Sequence, residues 1–494
     1  MDEQAQEFDV VVVGGGNAGY SAASAAADAG ANVLLLEKAP EQWEGGNSGF
    51  IAGFLFAYDT VDDLKAIVDF SPEDEASVIS PYPKESFRQD MLNASDGRSD
   101  PELLEILVEE SLDAMNWLKR RGFSFRLNRE RMAHEIDGRY VYWGGALVGP
   151  AERGRGLMRE HRQSAQRAGV TISLGAPVTG LVSQAGRVCG VTVDRNGETT
   201  EIRAANVVLA CGGFEASSSL RARFLGEIWR DVKVRGTPYN TGDGFHFGES
   251  VNAAFKGDLA GCHATGWAYE APDIGDLELT NRHSRNFYVF GVVVNNEGER
   301  FIDEGRDIRT HTYVEMGHSI AAQPGQIAYQ VFDAKSFDLL NPLEYGEPAK
   351  FVEAETLEEL ARAAGLPVEK FLKTISRYNE AVVAGSFNPS ALDDCKTKDL
   401  DPPKSHWARK IDTPPYKLFK LTAGITFTFG GLSVDADMRV KSEAGSPIEG
   451  LYAVGEMVGG LHYGNYAGGS GITFGVVSGR RAGTHAARRA RSVV

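Results

Sequence analysis

The sequence predicts an α/β protein with a parallel sheet and an inserted α+β domain. Two observations carry this prediction. The chain opens as strand, glycine turn, helix and strand, which is the order that lays a helix against a parallel sheet. Glycine-rich strand ends return from residue 421 onward, whereas the middle of the chain mixes short strands with a long amphipathic segment. We therefore predict a discontinuous domain of residues 1–258 and 420–494, interrupted by a capping domain of residues 259–419.

The N-terminal element has the clearest local pattern. Residues 8–13 and 32–36 are apolar, β-branched runs that predict two strands. Between them, the glycines of 14–19 predict a turn, and the alanine-rich segment 20–30 predicts a helix whose small side chains let it lie close to a sheet. The first domain is therefore expected to begin with a βαβ unit.

The remaining elements follow in chain order. Ser99-Asp100-Pro101-Glu102 combines an N-cap, an early proline and a capping-box glutamate, and apolar residues then recur at helical spacing up to Gly122. Residues 153–169 predict another helix, and residues 176–210 predict short strands. In the capping domain, the segment 356–384 predicts a long amphipathic helix.

Composition excludes several classes of protein. The chain has 494 residues, of which 42% are apolar and 24% charged, as expected for a folded protein of two or three domains. A net charge of −17 argues against a nucleic-acid partner, which would need a basic surface. The four cysteines have no paired spacing, so no haem, iron–sulfur or other metal site is predicted. Neither a leader nor a membrane span is recognisable, and we expect a cytoplasmic location.

The glycine turn of the first element predicts a dinucleotide site. Its sequence, Gly14-Gly15-Gly16-Asn17-Ala18-Gly19, follows a strand and precedes a helix. Gly14 allows the tight turn, Gly16 lets backbone approach a pyrophosphate, and Gly19 allows close packing of helix on strand. The phosphates would lie at the helix N-terminus, where free amides and the helix dipole favour negative charge. Glu37 ends the second strand and can bind the ribose hydroxyls.

Further motifs decide which dinucleotide is expected. In chain order they are Gly45-Gly46-Asn47-Ser48, Leu209-Ala210-Cys211-Gly212-Gly213-Phe214, Thr241-Gly242-Asp243-Gly244, Asn295-Asn296-Glu297-Gly298-Glu299-Arg300-Phe301 and Gly455-Glu456. Together with the N-terminal glycines, they resemble the FAD-binding flavoproteins of the fumarate reductase and succinate dehydrogenase family over nearly the whole chain. The resemblance implies a Rossmann-type FAD-binding domain with an inserted substrate-capping domain.

The resemblance also implies how the residues would hold FAD. The segment Gly46-Asn47-Ser48 would line the flavin ring, and Gly455-Glu456 would line the ribityl chain. Ser470-Gly471-Ile472 would open a helix aimed at the N1–C2 carbonyl edge of the flavin, where the helix dipole stabilises the anionic reduced ring.

The predicted cofactor-binding residues come from both ends of the chain. Membrane-bound members of the resembled family attach FAD through a histidine near the second glycine cluster. Residues 45–53 contain no histidine, so non-covalent FAD is expected. The predicted set is Gly14, Gly16, Asn17, Ala18, Gly19, Glu37, Lys38, Gly46, Asn47, Ser48, Val178, Gly212, Gly213, Gly242, Asp243, Gly455, Glu456, Ser470, Gly471 and Ile472.

Catalytic candidates follow from the chemistry of a flavin that desaturates a carbon–carbon bond. Such a reaction needs a proton acceptor beside the C–H that faces the flavin, and a group that makes the transferred proton more acidic. In the resembled family an arginine shortly after an Arg-Phe-x-x-Glu turn moves the proton. Arg309 is the closer match and Arg306 the alternative, and either could instead form an ion pair with a neighbouring acid. His263 matches a carboxylate-binding histidine, or is a hydrogen-bonded structural residue.

Two residues of the resembled family are missing. The histidine of a His-His-Thr-Met-Gly-Gly motif is absent from Thr426-Phe427-Thr428-Phe429-Gly430-Gly431, and an arginine is replaced by Tyr466 in Asn465-Tyr466-Ala467-Gly468-Gly469. Losing that arginine removes the best donor for a second carboxylate, so succinate and fumarate are not expected substrates. Tyr466 is similar to a tyrosine of tricarballylate dehydrogenase-like and 3-ketosteroid dehydrogenase-like members. In the 3-ketosteroid dehydrogenase-like members, that tyrosine polarises a ketone of the substrate. A buried ring with its hydroxyl bonded to backbone is the alternative.

These residues predict an FAD-dependent dehydrogenase that forms a C=C bond α,β to a carbonyl or carboxylate. Its substrate would be a small organic acid such as a cyclic oxo-carboxylic acid or tricarballylate, and oxygen, a quinone or a partner redox protein would accept the electrons. The predicted pocket residues are Trp143, Phe427, Phe429 and Gly469. The three aromatic residues of this set, together with Tyr142, could equally be plain core. Two alternatives are an enoate reductase that runs the reverse reaction and a non-catalytic electron-transfer subunit.

Overall fold

The computed structural model describes residues 7–142, 148–195 and 197–492, so Trp143 of the predicted pocket lies outside the described residues. Within those ranges, none of the helices combines the length and the apolar character needed to cross a bilayer. The strands are β1 Glu7–Val13, β2 Val33–Glu37, β3 Phe125–Leu127, β4 Ala133–Ile136, β5 Arg139–Tyr142, β6 Val148–Pro150, β7 Thr171–Leu174, β8 Val178–Gln184, β9 Arg187–Arg195, β10 Glu198–Leu209, β11 Lys233–Val234, β12 Phe255–Lys256, β13 Cys262–Ala268, β14 Val292–Asn295, β15 Ala328–Asp333, β16 Val352–Ala354, β17 Val382–Val383, β18 Lys396–Thr397, β19 Tyr416–Thr428, β20 Gly431–Leu432, β21 Arg439–Lys441 and β22 Pro447–Ala453.

The helices cover the two main sheets and link their strands. They are α1 Asn17–Asp28, α2 Val61–Lys65, α3 Pro72–Glu75, α4 Lys84–Ala94, α5 Pro101–Arg120, α6 Arg129–Met132, α7 Arg153–Arg167, α8 Ser218–Phe224, α9 Asp243–Ser250, α10 Arg309–Ala321, α11 Pro342–Tyr345, α12 Leu357–Ala364, α13 Val368–Ala381 and α14 Ser470–Ser492. The expected helix after Ser99 is α5, where Asp100 caps the N-terminus by accepting from the amides of Glu102 and Leu103.

The first sheet contains the predicted βαβ unit. Its strand order is β21-β22-β10-β1-β2-β7, with β9 pairing β10 and β8 pairing β9. Strand β1 lies parallel between β10 and β2, and residues 10–12 are fully buried. A central parallel strand is covered on both faces, which explains why this run is uniformly apolar. Strand β22, from near the C-terminus, lies parallel to β10, so both ends of the chain contribute to one sheet.

The second sheet forms around one long strand. Strand β19 pairs antiparallel with β13, β15 and β16 and parallel with β11, and β14 extends the sheet beyond β15. Because β11 spans residues 233–234 and β19 ends at residue 428, this sheet extends past both ends of the predicted capping segment 259–419. A strand of two residues leaves no periodic signal in a sequence, so this edge of the sheet could not be predicted.

The last helix packs directly on the first. At Gly479 and Gly483 of α14 an added Cβ would collide with the backbone of α1, at Ala18 and Ala22 respectively, so the close approach requires glycine. The amide of Asn17 also donates to the carbonyl of Ile472 through its side-chain Nδ2, at 2.9 Å. This packing brings the N-termini of the two helices together at the edge of the first sheet, facing the second.

Candidate active site

Two adjoining cavities form one cleft between the sheets. The narrower cavity follows the glycine turn at the start of α1, and the wider one lies between β19, α10 and the N-terminus of α14. The walls of both share the same central residues, which are Asn17, Ala18, Asn47, Ser48 and Glu456. A ligand could therefore extend from one cavity into the other, as a dinucleotide with a reactive ring would.

The narrower cavity has the features that the pyrophosphate and ribose of FAD require. Gly14 has φ +112°, and a Cβ there would overlap the carbonyl of Ala210, so the turn excludes other residues. At Gly16 an added Cβ would meet nothing closer than the hydroxyl of Ser48, at 3.5 Å, which leaves the backbone open to the cleft. Glu37 lines the same cavity. These residues fit the dinucleotide.

Glu37 is held rigidly at the end of β2. Its Oε2 accepts from the amide of Gly15 at 2.6 Å, and its Oε1 accepts from the amide of Ala39 at 2.7 Å. Burial raises the pKa of Glu37 above the usual value of a glutamate, although the two amides oppose this. The carboxyl group is therefore fixed in orientation before any ligand arrives, with its remaining lone pairs free for ribose hydroxyls.

The structure brings most of the predicted cofactor-binding residues to the cleft and four of them elsewhere. At Gly19, Gly213 and Gly242 an added Cβ would collide with neighbouring atoms, so these glycines allow the walls to pack. Ser470 begins α14 and is fully buried, and it does not line either cavity. The residues that do line the cleft are Gly14, Gly16, Asn17, Ala18, Glu37, Lys38, Gly46, Asn47, Ser48, Val178, Gly212, Asp243, Gly455, Glu456, Gly471 and Ile472.

Asn47 is anchored through its whole side chain. Its Nδ2 donates to Glu215 Oε1 at 2.6 Å and also to the carbonyl of Thr426. Its Oδ1 accepts from the amide of Thr237 at 2.9 Å. Because every polar group of the side chain has a protein partner, Asn47 can contact FAD through its backbone while its side chain ties the glycine loop to β19.

Two buried carboxyl groups, Glu215 and Glu456, lie together where the cavities meet. Burial raises the pKa of Glu215 to about 7 and raises the pKa of Glu456 well above the usual range, with the neighbouring Glu215 charge adding to the latter. Glu215 Oε1 also accepts from Asn240 Nδ2 at 2.6 Å, and Glu456 Oε1 accepts from the amide of Thr428 at 2.9 Å. The pair keeps at least one proton at neutral pH.

His263 lies in an aromatic cluster on the wall of the wider cavity. It comes from β13, directly opposite Phe427 of β19, and the two rings stack with centroids 5.2 Å apart. Its Nε2 lies 2.8 Å from the hydroxyl of Tyr313, and its ring centroid lies 5.0 Å from that of Tyr466. Burial, and then the charge on Arg235, hold the pKa of His263 well below its usual range, so the imidazole is neutral.

Arg309 and Arg306 lie in different environments. Arg309 is the first residue of α10, is buried in the cavity wall, and places its guanidinium 4.3 Å from the ring centroid of Phe287. Burial lowers the pKa of Arg309 to about 10, so the group is still protonated at neutral pH. Arg306 is half exposed and forms an ion pair with Glu315 outside the cavity. The structure brings Arg309 to the cleft and leaves Arg306 at the surface.

Tyr466 lies in the segment before α14 with its ring buried in the cavity wall. Its hydroxyl oxygen accepts from the amide of Gly469 at 3.2 Å and from the amide of Gly471 at 3.0 Å. Burial raises the pKa of Tyr466, so it stays a neutral phenol. These are the hydrogen bonds to backbone that a purely structural role of Tyr466 predicts. A hydroxyl oxygen that accepts from two N–H groups can nevertheless still donate its own proton. Phe427, Phe429 and Gly469 also line this cavity.

Several cavity residues were missed by the sequence reasoning. Arg235 follows the two-residue strand β11, where no motif marks it, and arginines are usually exposed. Tyr313 stands four residues after Arg309 in α10, so helical spacing could have placed both on one face. His462 was hidden in the glycine-rich run before α14, and burial lowers its pKa to about 3.

Comparisons with known proteins agree with this geometry. A family model described as "FAD binding domain" matches residues 9–472. A probable fumarate reductase of Shewanella frigidimarina is 30% identical over 97% of this chain and 75% of that protein. A 3-oxosteroid 1-dehydrogenase of Mycobacterium tuberculosis is 27% identical over 98% of this chain and 100% of that protein. A solved structure of the open conformation of a flavocytochrome c3 fumarate reductase has a TM-score of 0.73 and 28% identity, covering 98% of this chain and 79% of that one.

These findings confirm the predicted family resemblance, the α/β fold and FAD as the cofactor. They do not test the individual site residues, which stay predictions supported by their positions in the cleft. On the match over most of its length, the chain belongs to the family of proteins with this FAD binding domain, and it is a flavin-dependent oxidoreductase that acts on carbon–carbon bonds.

Proposed function

We propose that this protein is an FAD-dependent dehydrogenase that forms a C=C bond α,β to a carbonyl or carboxylate of a small organic acid. A cyclic oxo-carboxylic acid or tricarballylate is the expected kind of substrate. The observation that carries the proposal is the convergence of Arg309, Tyr466 and His263 on one cavity that adjoins the FAD-binding residues. Residues 45–53 contain no histidine, which supports non-covalent FAD.

In the proposed mechanism, FAD held by the residues of the narrower cavity would supply a hydride acceptor for one carbon of the substrate. Tyr466 donates a hydrogen bond to the carbonyl, which makes the neighbouring C–H more acidic. The amides of Gly469 and Gly471 hold that hydroxyl in place. Arg309, in its neutral form, accepts the proton from the adjacent carbon. Because burial lowers the pKa of Arg309, a larger fraction of it is neutral than of an exposed arginine at the same pH. The neutral His263 orients the substrate.

The reverse reaction, reduction of an enoate, is the second candidate. Two observations favour it: relatives are named as fumarate reductases, and Arg309 is protonated at neutral pH and so ready to donate a proton. The same residues would serve both directions, because a group that accepts a proton in oxidation returns it in reduction. In the oxidative direction, oxygen, a quinone or a partner redox protein would accept the electrons from the flavin.

The two directions are separated by an anaerobic titration of the holoenzyme. Tricarballylate, succinate, cyclohexanone carboxylates and a 3-ketosteroid would each be mixed with oxidised enzyme while the visible flavin band is recorded. Bleaching by an oxo-acid or by tricarballylate would support the dehydrogenase. If no acid bleaches the flavin while an enoate reoxidises the reduced enzyme, the protein is a reductase, and if neither occurs it is not a catalyst for these acids.

Variants connect this titration to the site. Arg309→Ala should bleach at least about 100-fold more slowly than wild type, because it lacks the proton acceptor. Arg306→Ala is the matched control, since Arg306 pairs with Glu315 at the surface, and it should bleach at the wild-type rate. Equal rates for Arg309→Ala and Arg306→Ala would refute the assignment of Arg309.

A further inference from the structure

Arg235 occupies an unusual position on the wall of the wider cavity. It directly follows β11, and its amide donates to the carbonyl of Ile425 at 2.7 Å, which continues the pairing of β11 with β19. Strand β13 lies on the other edge of β19, so Arg235 and His263 flank the end of β19 from opposite sides. Arg235 as a whole residue is only 8% exposed, and it lines the cavity.

Among the residues that the structure describes, the guanidinium of Arg235 donates hydrogen bonds only to neutral groups. Its Nη1 donates to Thr426 Oγ1 at 2.7 Å, and its Nη2 donates to Asn281 Oδ1 at 2.5 Å. Its Nε is buried without a hydrogen-bond acceptor. A guanidinium has five N–H groups, so three of them are left for another ligand. A buried cation that forms no direct ion pair is unfavourable, and a carboxylate is the ligand that best matches its geometry.

The other cationic groups nearby do not share this environment. Arg131 also lines the cavity, but its Nη2 lies 3.0 Å from Glu344 Oε1, so its charge is already compensated. Arg309 begins α10 and lies over the ring of Phe287. Burial raises the pKa of both Glu215 and Glu456, so at neutral pH this pair carries less than the full negative charge of two carboxylates. The cavity as a whole therefore favours an anionic ligand.

We propose that Arg235 binds the carboxylate of the substrate, and that the substrate is an oxo-carboxylate whose carbonyl faces Tyr466. This inference rests on the proposed function and narrows it to a substrate class. The guanidinium of Arg235 provides for one carboxylate, and the stacked rings of His263 and Phe427 provide an apolar surface for the carbon skeleton between the two polar ends. A tricarboxylate would have to place further charges against that surface, so it is the poorer ligand.

The test measures binding to the oxidised holoenzyme and needs no turnover. A cyclohexanone carboxylate and its primary amide would be titrated by calorimetry or by perturbation of the flavin spectrum. We expect wild type to bind the carboxylate at least about 100-fold more tightly than the amide, because a buried charge pair is lost with the amide. Arg235→Gln should lose about 100-fold in carboxylate affinity with its amide affinity unchanged. The matched control is Arg230→Gln, whose arginine pairs with Glu227 at the surface.

Each outcome decides the proposal. Arg235→Gln that retains FAD and wild-type carboxylate affinity would overturn it, as would equal binding of acid and amide by wild type or tighter binding of tricarballylate. If Arg235→Gln does not retain FAD, Arg235→Lys is the second variant to be tested. It keeps the charge and loses the bidentate geometry, so its carboxylate affinity should be about tenfold weaker than that of wild type. Unchanged affinity in Arg235→Lys would refute bidentate binding. Binding that depends on Arg235 without flavin bleaching would uphold this site while refuting the dehydrogenase.

Discussion

The pH dependence of flavin reduction offers the sharpest test of Arg309. Burial lowers the pKa of Arg309 to about 10, so at pH 7 roughly one molecule in a thousand carries the neutral guanidine that can accept a proton. If this form is the base, the rate constant for flavin reduction should rise roughly tenfold for each pH unit above 7 and level off near pH 10. For the reverse reaction the protonated form is required, so that rate should stay flat and fall only above pH 10.

The assay is anaerobic stopped-flow reduction of the bound flavin at saturating substrate, with FAD fluorescence followed at each pH to confirm that the cofactor stays bound. Glu215 titrates at the lower end of this range, because burial raises its pKa to about 7, so one inflection is expected there in every variant. Arg309→Ala should remove the alkaline rise and keep that inflection, whereas Arg306→Ala should keep both. An oxidation rate in wild type that does not change between pH 8 and pH 10 would refute Arg309 as the base.

Two further predictions follow from hydrogen bonds of the site. Tyr466→Phe should lower the rate of flavin reduction, measured by stopped flow, by about 100-fold. Because the amides of Gly469 and Gly471 lose their acceptor, a denaturant titration should also show an unfolding free energy lower by about 1–3 kcal/mol. An unchanged reduction rate would assign Tyr466 a packing role alone. Glu37→Gln can accept from one but not both of the amides of Gly15 and Ala39, so it should weaken FAD binding by about tenfold or more, which a fluorescence titration of the apoprotein would detect. Wild-type FAD affinity in Glu37→Gln would contradict that account.

The dinucleotide-binding part of the site could be predicted because it depends on local backbone geometry. The turn at Gly14 needs a positive φ, and Gly16 needs open space beside the backbone, so both leave glycines at fixed spacing after a strand. Glu37 follows at the end of the next strand, where its carboxyl group is placed to bind ribose hydroxyls. These requirements act over a few residues, and a sequence records them directly. The edge of the second sheet could not be predicted in this way, because the edge strand β11 is only two residues long.

The substrate side of the cleft depended on the tertiary structure. Arg235 comes from the end of β11, His263 from β13, Arg309 and Tyr313 from α10, and Tyr466 from the segment before α14. Apart from Arg309 and Tyr313, which share one helix, these residues come from positions far apart in the chain, so no spacing records their contacts. The motif around Arg309 left Arg306 as an alternative, and the packing brings Arg309 to the cavity wall while Arg306 lies half exposed beside Glu315.

The sequence by itself determined the βαβ unit, the family and the cofactor, since each rests on short motifs whose backbone geometry tolerates few residues. It also singled out Tyr466 and Arg309 by resemblance. The tertiary structure decided which charges face the cavity and which are compensated, and it revealed Arg235 as a buried cation with neutral partners. The physical reason is that burial and charge pairing are properties of the whole environment of a side chain, which the folded chain assembles from several separate elements.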